Sequence, residues 1–172
     1  MKKIIITLVF LVPALMFSQS AFDKFDGNEN VAAVIVNKKM FEMMSRVKVE
    51  DKESQQYMNL LKKLENLKVF TTTNTKTAAE MKATVALYLK NNTLEELMRI
   101  TEGAKNVKIY IRSGANDSIV KELLMFIEGA GQKDFESVIV SITGTFNLDE
   151  ISELTERMNI PGGKELEKAA KK

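Results

Sequence analysis

The chain of 172 residues has no histidine, no cysteine and no tryptophan, and only two prolines. Histidine titrates near neutrality, serves most often as general base and ligates most catalytic zinc, copper and iron, so its absence excludes Ser-His-Asp and Cys-His catalysis. Without cysteine there are no thiolate nucleophiles, iron–sulfur clusters, thiolate zinc sites, disulfides or lipid attachment through an N-terminal Cys. A fold lacking such staples rests on its core; at about 150 residues a domain buries roughly 70% of the surface its unfolded chain exposes, which suffices. An excess of one charge is missing as well. With Lys2 and Lys3 set aside as part of a leader, 23 basic residues face 23 acidic ones. That neutrality argues against nucleic acid as a partner, which Lys and Arg clusters hold through phosphate. The 45% of hydrophobic and 28% of charged residues describe one globular domain.

Met1-Lys2-Lys3 is a basic start, Ile4 to Phe17 is an apolar stretch of fourteen, and Ser18-Gln19-Ser20 sets small residues at −3 and −1 of a cut before Ala21. This is the pattern of a secretory signal peptide over residues 1–20, with a cut after Ser18 as the alternative. Fourteen residues rise about 21 Å as a helix, short of a hydrocarbon core of about 30 Å. Pro13 weakens a helix there further, so an uncleaved anchor is the lesser reading. No later segment is apolar enough to span a bilayer. The expected product is periplasmic or secreted, with no transmembrane segment after cleavage.

Residues 21–30 read as an irregular arm. Val31 to Val36 is an apolar run that suits a strand covered on both faces, with a buried helix as the alternative that periodicity leaves open. Met40, Met43, Met44 and Val47, and then Tyr57, Leu60, Leu61 and Leu64, follow the i, i+3, i+4, i+7 rule of two amphipathic helices. Leu67 to Thr73 is rich in β-branched residues and short enough for a strand. Thr77 and Glu80 have the spacing of a capping box, opening a helix with Met81, Val85, Tyr88 and Leu89 inward. Leu94 to Thr101 carries conflicting signals: Thr93 and Glu96 match a second capping box, whereas period two runs into a turn at 102–106. A strand from Leu97 to Thr101 is the favoured reading. Val107, Ile109 and Ile111 alternate with Lys108, Tyr110 and Arg112, giving one packed and one wet face. Strands over 118–127 and 135–143 follow, joined by a hairpin loop at Gly129 to Asp134. Asn147 then caps a helix with Glu150 at its third position and Ile151, Leu154 and Met158 inward. The expected fold class is α+β: one mainly antiparallel sheet, made of a C-terminal four-strand meander plus two earlier strands, with amphipathic helices packed mainly on one face. One domain covers 21–163, and 164–172 is a polar tail.

Motifs that carry chemistry are few. Ser118 and Lys121, like Ser45 and Lys48, match the S-x-x-K spacing of serine acylases, but composition produces about one such match by chance, and no Lys-Thr-Gly or Ser-Asp-Asn accompanies them. Gly129 and Gly131 begin a G-x-G whose third glycine is replaced by Asp134. Asp23, Asp26, Asn28 and Glu29 cluster hard oxygen ligands, yet the register fails the Ca²⁺ loop and equally suits a turn. Glu95/Glu96 and Asp149/Glu150/Glu153 are candidate paired carboxylates for glycoside cleavage, and also what a helix N-terminus attracts. Eight methionines follow the leader; those at 40, 43 and 44 fill a core or line an adaptable groove.

Val-Asn-Lys-Lys-Met-Phe-Glu-Met-Met (36–44), Leu-Lys-Val-Phe-Thr-Thr (67–72), Glu-Glu-Leu-Met-Arg-Ile (95–100), Lys-Glu-Leu-Leu-Met-Phe (121–126) and Ser-Ile-Thr-Gly-Thr-Phe-Asn-Leu-Asp-Glu-Ile (141–151) occur in that order behind the leader. In these segments the chain resembles an uncharacterised family of exported Bacteroidetes proteins, domain of unknown function 4252. The resemblance implies a cell-envelope location and carries over no catalytic residue. Some relatives attach lipid through a Cys at the leader's end, which this chain lacks. Asp117-Ser118-Ile119 is similar to the acceptor site for periplasmic O-glycosylation in such bacteria, making Ser118 the candidate.

By subtraction, the expected function is non-enzymatic: an exported envelope domain without cofactor or metal, binding another envelope component, protein or small ligand, through Lys108, Tyr110 and Arg112. The alternatives are a hydrolase using carboxylates or a Ser/Lys pair, and a small-molecule carrier with an apolar cleft. Ser118 and Lys121 on a regular strand would point to opposite faces, which would exclude their pairing.

Overall fold

The computed structural model describes residues 21–103, 105–116, 118–129 and 136–170. The leader and most of the 129–134 loop lie outside them. Six strands, β1 (Ala32–Asn37), β2 (Leu64–Thr72), β3 (Glu95–Glu102), β4 (Lys105–Ser113), β5 (Val120–Gly129) and β6 (Ser137–Phe146), form one sheet in the order β1-β2-β6-β5-β4-β3. Every neighbouring pair is antiparallel. The segment 95–102 is thus a strand, and β3 to β6 are the expected meander. The helices are α1 (Lys38–Met44), α2 (Lys52–Lys63), α3 (Thr75–Asn91), α4 (Leu148–Arg157) and α5 (Gly163–Ala170). The fold is α+β.

Connectivity decides which face each helix covers. Residues α1 and α2 contribute, Phe41, Tyr57, Leu60 and Leu61, join Leu67, Val69, Ile109, Leu123, Val140 and Ile142 on one face, where α4 adds Ile151 and Leu154. The chain must then travel from β2 to the far edge at β3, four strand spacings or about 19 Å away. With 17 residues, α3 is about 25 Å long and makes that crossing on the opposite face. There Met81 and Val85 pack on Phe70, Leu124, Phe126 and Ile139, with Tyr88, Leu89 and Tyr110 at the margin. Phe22 and Phe25, flanking and closing a 3-10 turn at Asp23–Phe25, complete this second core, each 1% exposed. Both faces are therefore covered, because an apolar alternation on β5 and β6 leaves neither face fit for water. The arm is anchored: Lys68 pairs with Asp23, and the Phe25 ring lies 5.9 Å from that of Phe70.

Three local readings are corrected. α3 is capped by Asn74, whose Oδ1 accepts from the Thr77 amide at 3.0 Å; Thr77 is the third helical residue, not the cap. β1 is an edge strand exposed over most of its length, not one buried on both faces. In α1 the inward residue is Phe41, with Met44 half-buried, while Met40, Met43 and Val47 face solvent. The helix ends at Met44, so the apparent stripe overruns it and the larger aromatic takes the core. At the other end, α5 gives regular structure to residues 163–170 and packs on α4, with Lys105 bonded to Glu165 at 2.6 Å.

Candidate functional site

Strand alternation on β4 sends Lys108, Tyr110 and Arg112 to the α3 side of the sheet, where all three are half-buried. Arg112 is committed. Its guanidinium meets Glu122 Oε2, on the neighbouring strand β5, at 3.0 Å and Asn92 Oδ1 at 3.3 Å. Glu122 is 6% exposed and also accepts from the Tyr88 hydroxyl at 2.5 Å. Burial, then the Glu122 carboxylate, pushes the Tyr88 phenol far above its ordinary pKa. A carboxylate on a strand with apolar neighbours is thereby satisfied by donors from α3 and β4. Beside it, Glu96 takes a two-pronged bond from Arg99 at 3.0 and 2.7 Å, and that guanidinium holds the carboxyl below its usual range. Burial first and the Glu96 charge second raise the Tyr110 phenol. The sequence singles out Arg112 but not its partners Glu122 and Asn92 or Tyr88, which shares Glu122; Glu122, a buried acid on β5, was the available signal.

The catalytic groupings do not assemble. Ser118 sits in the turn before β5 with its hydroxyl on Asn116 Oδ1 at 2.8 Å, whereas Lys121 is on the strand and reaches Thr145 Oγ1 at 2.7 Å. The Ser45 hydroxyl donates to the Glu42 carbonyl. Of the helix acids, Glu150 accepts from the Asn147 amide at 2.9 Å and from Lys63 at 2.6 Å, and Glu153 binds Arg157 at 2.9 Å. These two carboxylates close a cap and ion pairs, and the exposed Asp149 joins neither among the described residues. In the arm, Asp23 is taken by Lys68 and the Asn28 side chain by the Asn30 amide. No group of three or more acidic residues placed to hold a metal occurs among the described residues.

What the sheet leaves open is its first edge. Val34 is 53% exposed and Ile35 41%, on opposite faces of β1, and Met40 (49%), Met43 (56%) and Val47 (61%) follow on and just beyond α1. Five of the seven large apolar side chains exposed among the described residues fall in this one stretch of fourteen positions. Sequence reasoning buried them, because an apolar run and a helical stripe normally mark core.

The family model for a domain of unknown function, DUF4252, matches residues 25–154. The chain belongs to the DUF4252 family. No curated protein and no solved structure matches it. The DUF4252 span takes in all six strands, the Tyr88–Glu122–Arg112 network and the open β1–α1 stretch. A cleft of about 690 Å³ between α4 and α5 lies largely past its end, lined by Lys105, Asp149, Glu153, Glu156, Lys164 and Glu165 among others. A second of about 460 Å³ is bordered by Lys38, Lys62, Lys63, Glu65, Thr145 and Asn147. Residues with charged or polar side chains outnumber apolar ones around both clefts. No helix among the described residues is long and apolar enough to cross a membrane.

Proposed function

We propose that this DUF4252 chain is an exported, non-enzymatic domain of the cell envelope that works by docking another envelope component on its β1–α1 surface. The observation that carries the reading is the concentration of exposed apolar side chains on an uncapped sheet edge and the helix that follows. Scattered surface apolar residues need no explanation, but five of the seven exposed among the described residues, gathered on one edge strand and on or just beyond the helix after it, are more than scatter. Soft, unbranched methionines suit such a surface. Lys108 and Tyr110 remain accessible in part, but Arg112 is already neutralised by Glu122, so that side of β4 is a weaker anchor. Support for export comes from the leader pattern over residues 1–20. The Ser118 side chain is exposed, as an O-glycan acceptor must be, and Asp117 of that site lies outside the described residues.

The test is capture from an envelope extract of the native host with tagged chain, wild type against the Met40→Glu/Met43→Glu double variant. Both side chains are solvent-facing, so the variant keeps its fold, and its captured set is expected to shrink. Capture unchanged by the double variant overturns the docking reading. The exported protein is expected to begin at Ala21, or at Gln19 after the alternative cut, and to weigh more than its sequence if Ser118 carries sugar. Intact-mass and N-terminal sequencing decide both.

A further inference from the structure

The two edges of the sheet are built differently. β3 carries Glu95, Glu96, Arg99 and Glu102 in eight residues and is bulged between Glu96 and Met98. Charge and a bulge are the devices that blunt an edge against pairing. β1, Ala-Ala-Val-Ile-Val-Asn, has no charge, no proline and an unbroken register along β2. Among the described residues no strand pairs with its outer edge.

We propose that β1 pairs antiparallel with β1 of a second copy of this chain about a two-fold axis normal to the sheet. This rests on the docking reading above and names its partner. Two residues that oppose each other across such an axis share a face, so the dyad falls on Val34 or on Ile35. The charges flanking the strand favour this arrangement. Before β1 lie Asp26 and Glu29, and after it Lys38 and Lys39, all exposed. Of these four, only Lys39 reaches an opposite charge among the described residues, Glu42 at 3.9 Å. Antiparallel pairing carries each copy's lysines toward the other's acids, whereas parallel pairing sets like charges together. A foreign strand would need to reproduce that polarity; a second copy has it by symmetry. The axis also keeps both α1 helices, with their exposed Met40 and Met43, on one face. The resulting twelve-stranded sheet ends at both sides in the blunted β3, so assembly closes at two copies, as an isologous interface requires.

A chain without cysteine makes the test clean. Expressed whole and recovered after export, the wild type is expected to run at twice the chain mass by light scattering. Ile35→Lys, which leaves the melting profile in place, is expected to weaken association by about tenfold or more. Under mild oxidation either Val34→Cys or Ile35→Cys is expected to form a covalent dimer, since opposed strand residues come within disulfide reach. Leu87→Cys, exposed on α3, is the control and stays monomeric under denaturing electrophoresis. A wild type that is monomeric at about 100 μM, with no cross-link at either position, overturns self-pairing whatever capture shows. Loss of capture in Ile35→Lys would then keep the docking reading with a different partner, and unchanged capture would end both.

Discussion

Glu122 sits on a central strand with Val120, Leu123 and Leu124 around it, and two donors reach it, Tyr88 and Arg112. Arg112→Ala removes the cation and leaves the buried carboxylate with the phenol alone. The loss is expected to be about 3 kcal/mol, the low end for breaking a buried pair because Arg112 keeps part of its surface in water. In a Glu122→Gln background the same substitution is expected to cost about 1 kcal/mol or less. Urea denaturation of the four chains measures it, and equal losses in both backgrounds would show that the pair is not what Arg112 contributes. A second residue-scale constraint is Gly144, where β6 passes the corner between α2 and β2. A Cβ there would stand 2.5 Å from the Lys63 carbonyl oxygen and 3.0 Å from the Leu64 Cα, both backbone. Gly144→Ala is expected to cost about 2 kcal/mol or more through overpacking, read as a fall in the urea midpoint at unchanged slope.

Among the elements, α1 and α3 separate pattern from packing. Phe41 is fully buried while Met43 is more than half exposed. Phe41→Ala is therefore expected to cost about 3–5 kcal/mol and Met43→Ala within about 0.5, the reverse of what a Met40-Met43-Met44-Val47 stripe implies. Thermal denaturation of the two single variants compares them directly. For α3, Asn74→Ala is expected to cost about 1 kcal/mol and Asn74→Asp almost nothing, since a carboxylate accepts from the Thr77 amide equally well and suits the helix dipole. The strands were legible where one signal dominated: Val107, Ile109 and Ile111 could pack on only one face, and β3 to β6 follow from short turns. The helix α2 was legible because Tyr57, Leu60 and Leu61 leave no competing stripe. Less legible was anything fixed by neighbours distant in sequence. That β1 lies at an edge depends on β6 pairing with β2 from the other side, and the second core depends on α3 crossing behind the sheet. The partners of Arg112, Glu122 and Asn92, lie 10 and 20 residues away in the chain, beyond any local spacing rule.

For the whole molecule, the missing imidazole shapes stability against pH. Burial is the largest cause raising the phenol at Tyr57, Tyr88 and Tyr110, all three tyrosines of the chain. A raised acid pKa means that the folded state holds its proton more tightly than the unfolded one. The associated stability is complete below the ordinary phenol value of about 10 and is lost as pH climbs through the shifted values. At the other extreme, Asp51, bonded to the Ser54 amide, and Glu96, bonded to Arg99, sit below their ordinary values. Their contribution is present above about pH 4 and lost on acidification. With no histidine to titrate between these limbs, the melting temperature is expected to stay level from about pH 6 to 9 and to fall on both sides. Tyr88→Phe gives the discriminating measurement. At pH 7 it costs about 1 kcal/mol, because Glu122 loses a donor. Above pH 10 it shallows the alkaline fall by at most about 1.4 kcal/mol per pH unit, one proton's share. Chemical denaturation across pH 5 to 11.5 on both chains reads the two effects separately. Parallel alkaline limbs would mean that Tyr88 does not set the alkaline fall, leaving it to Tyr57 in the first core or Tyr110 at the margin of the second.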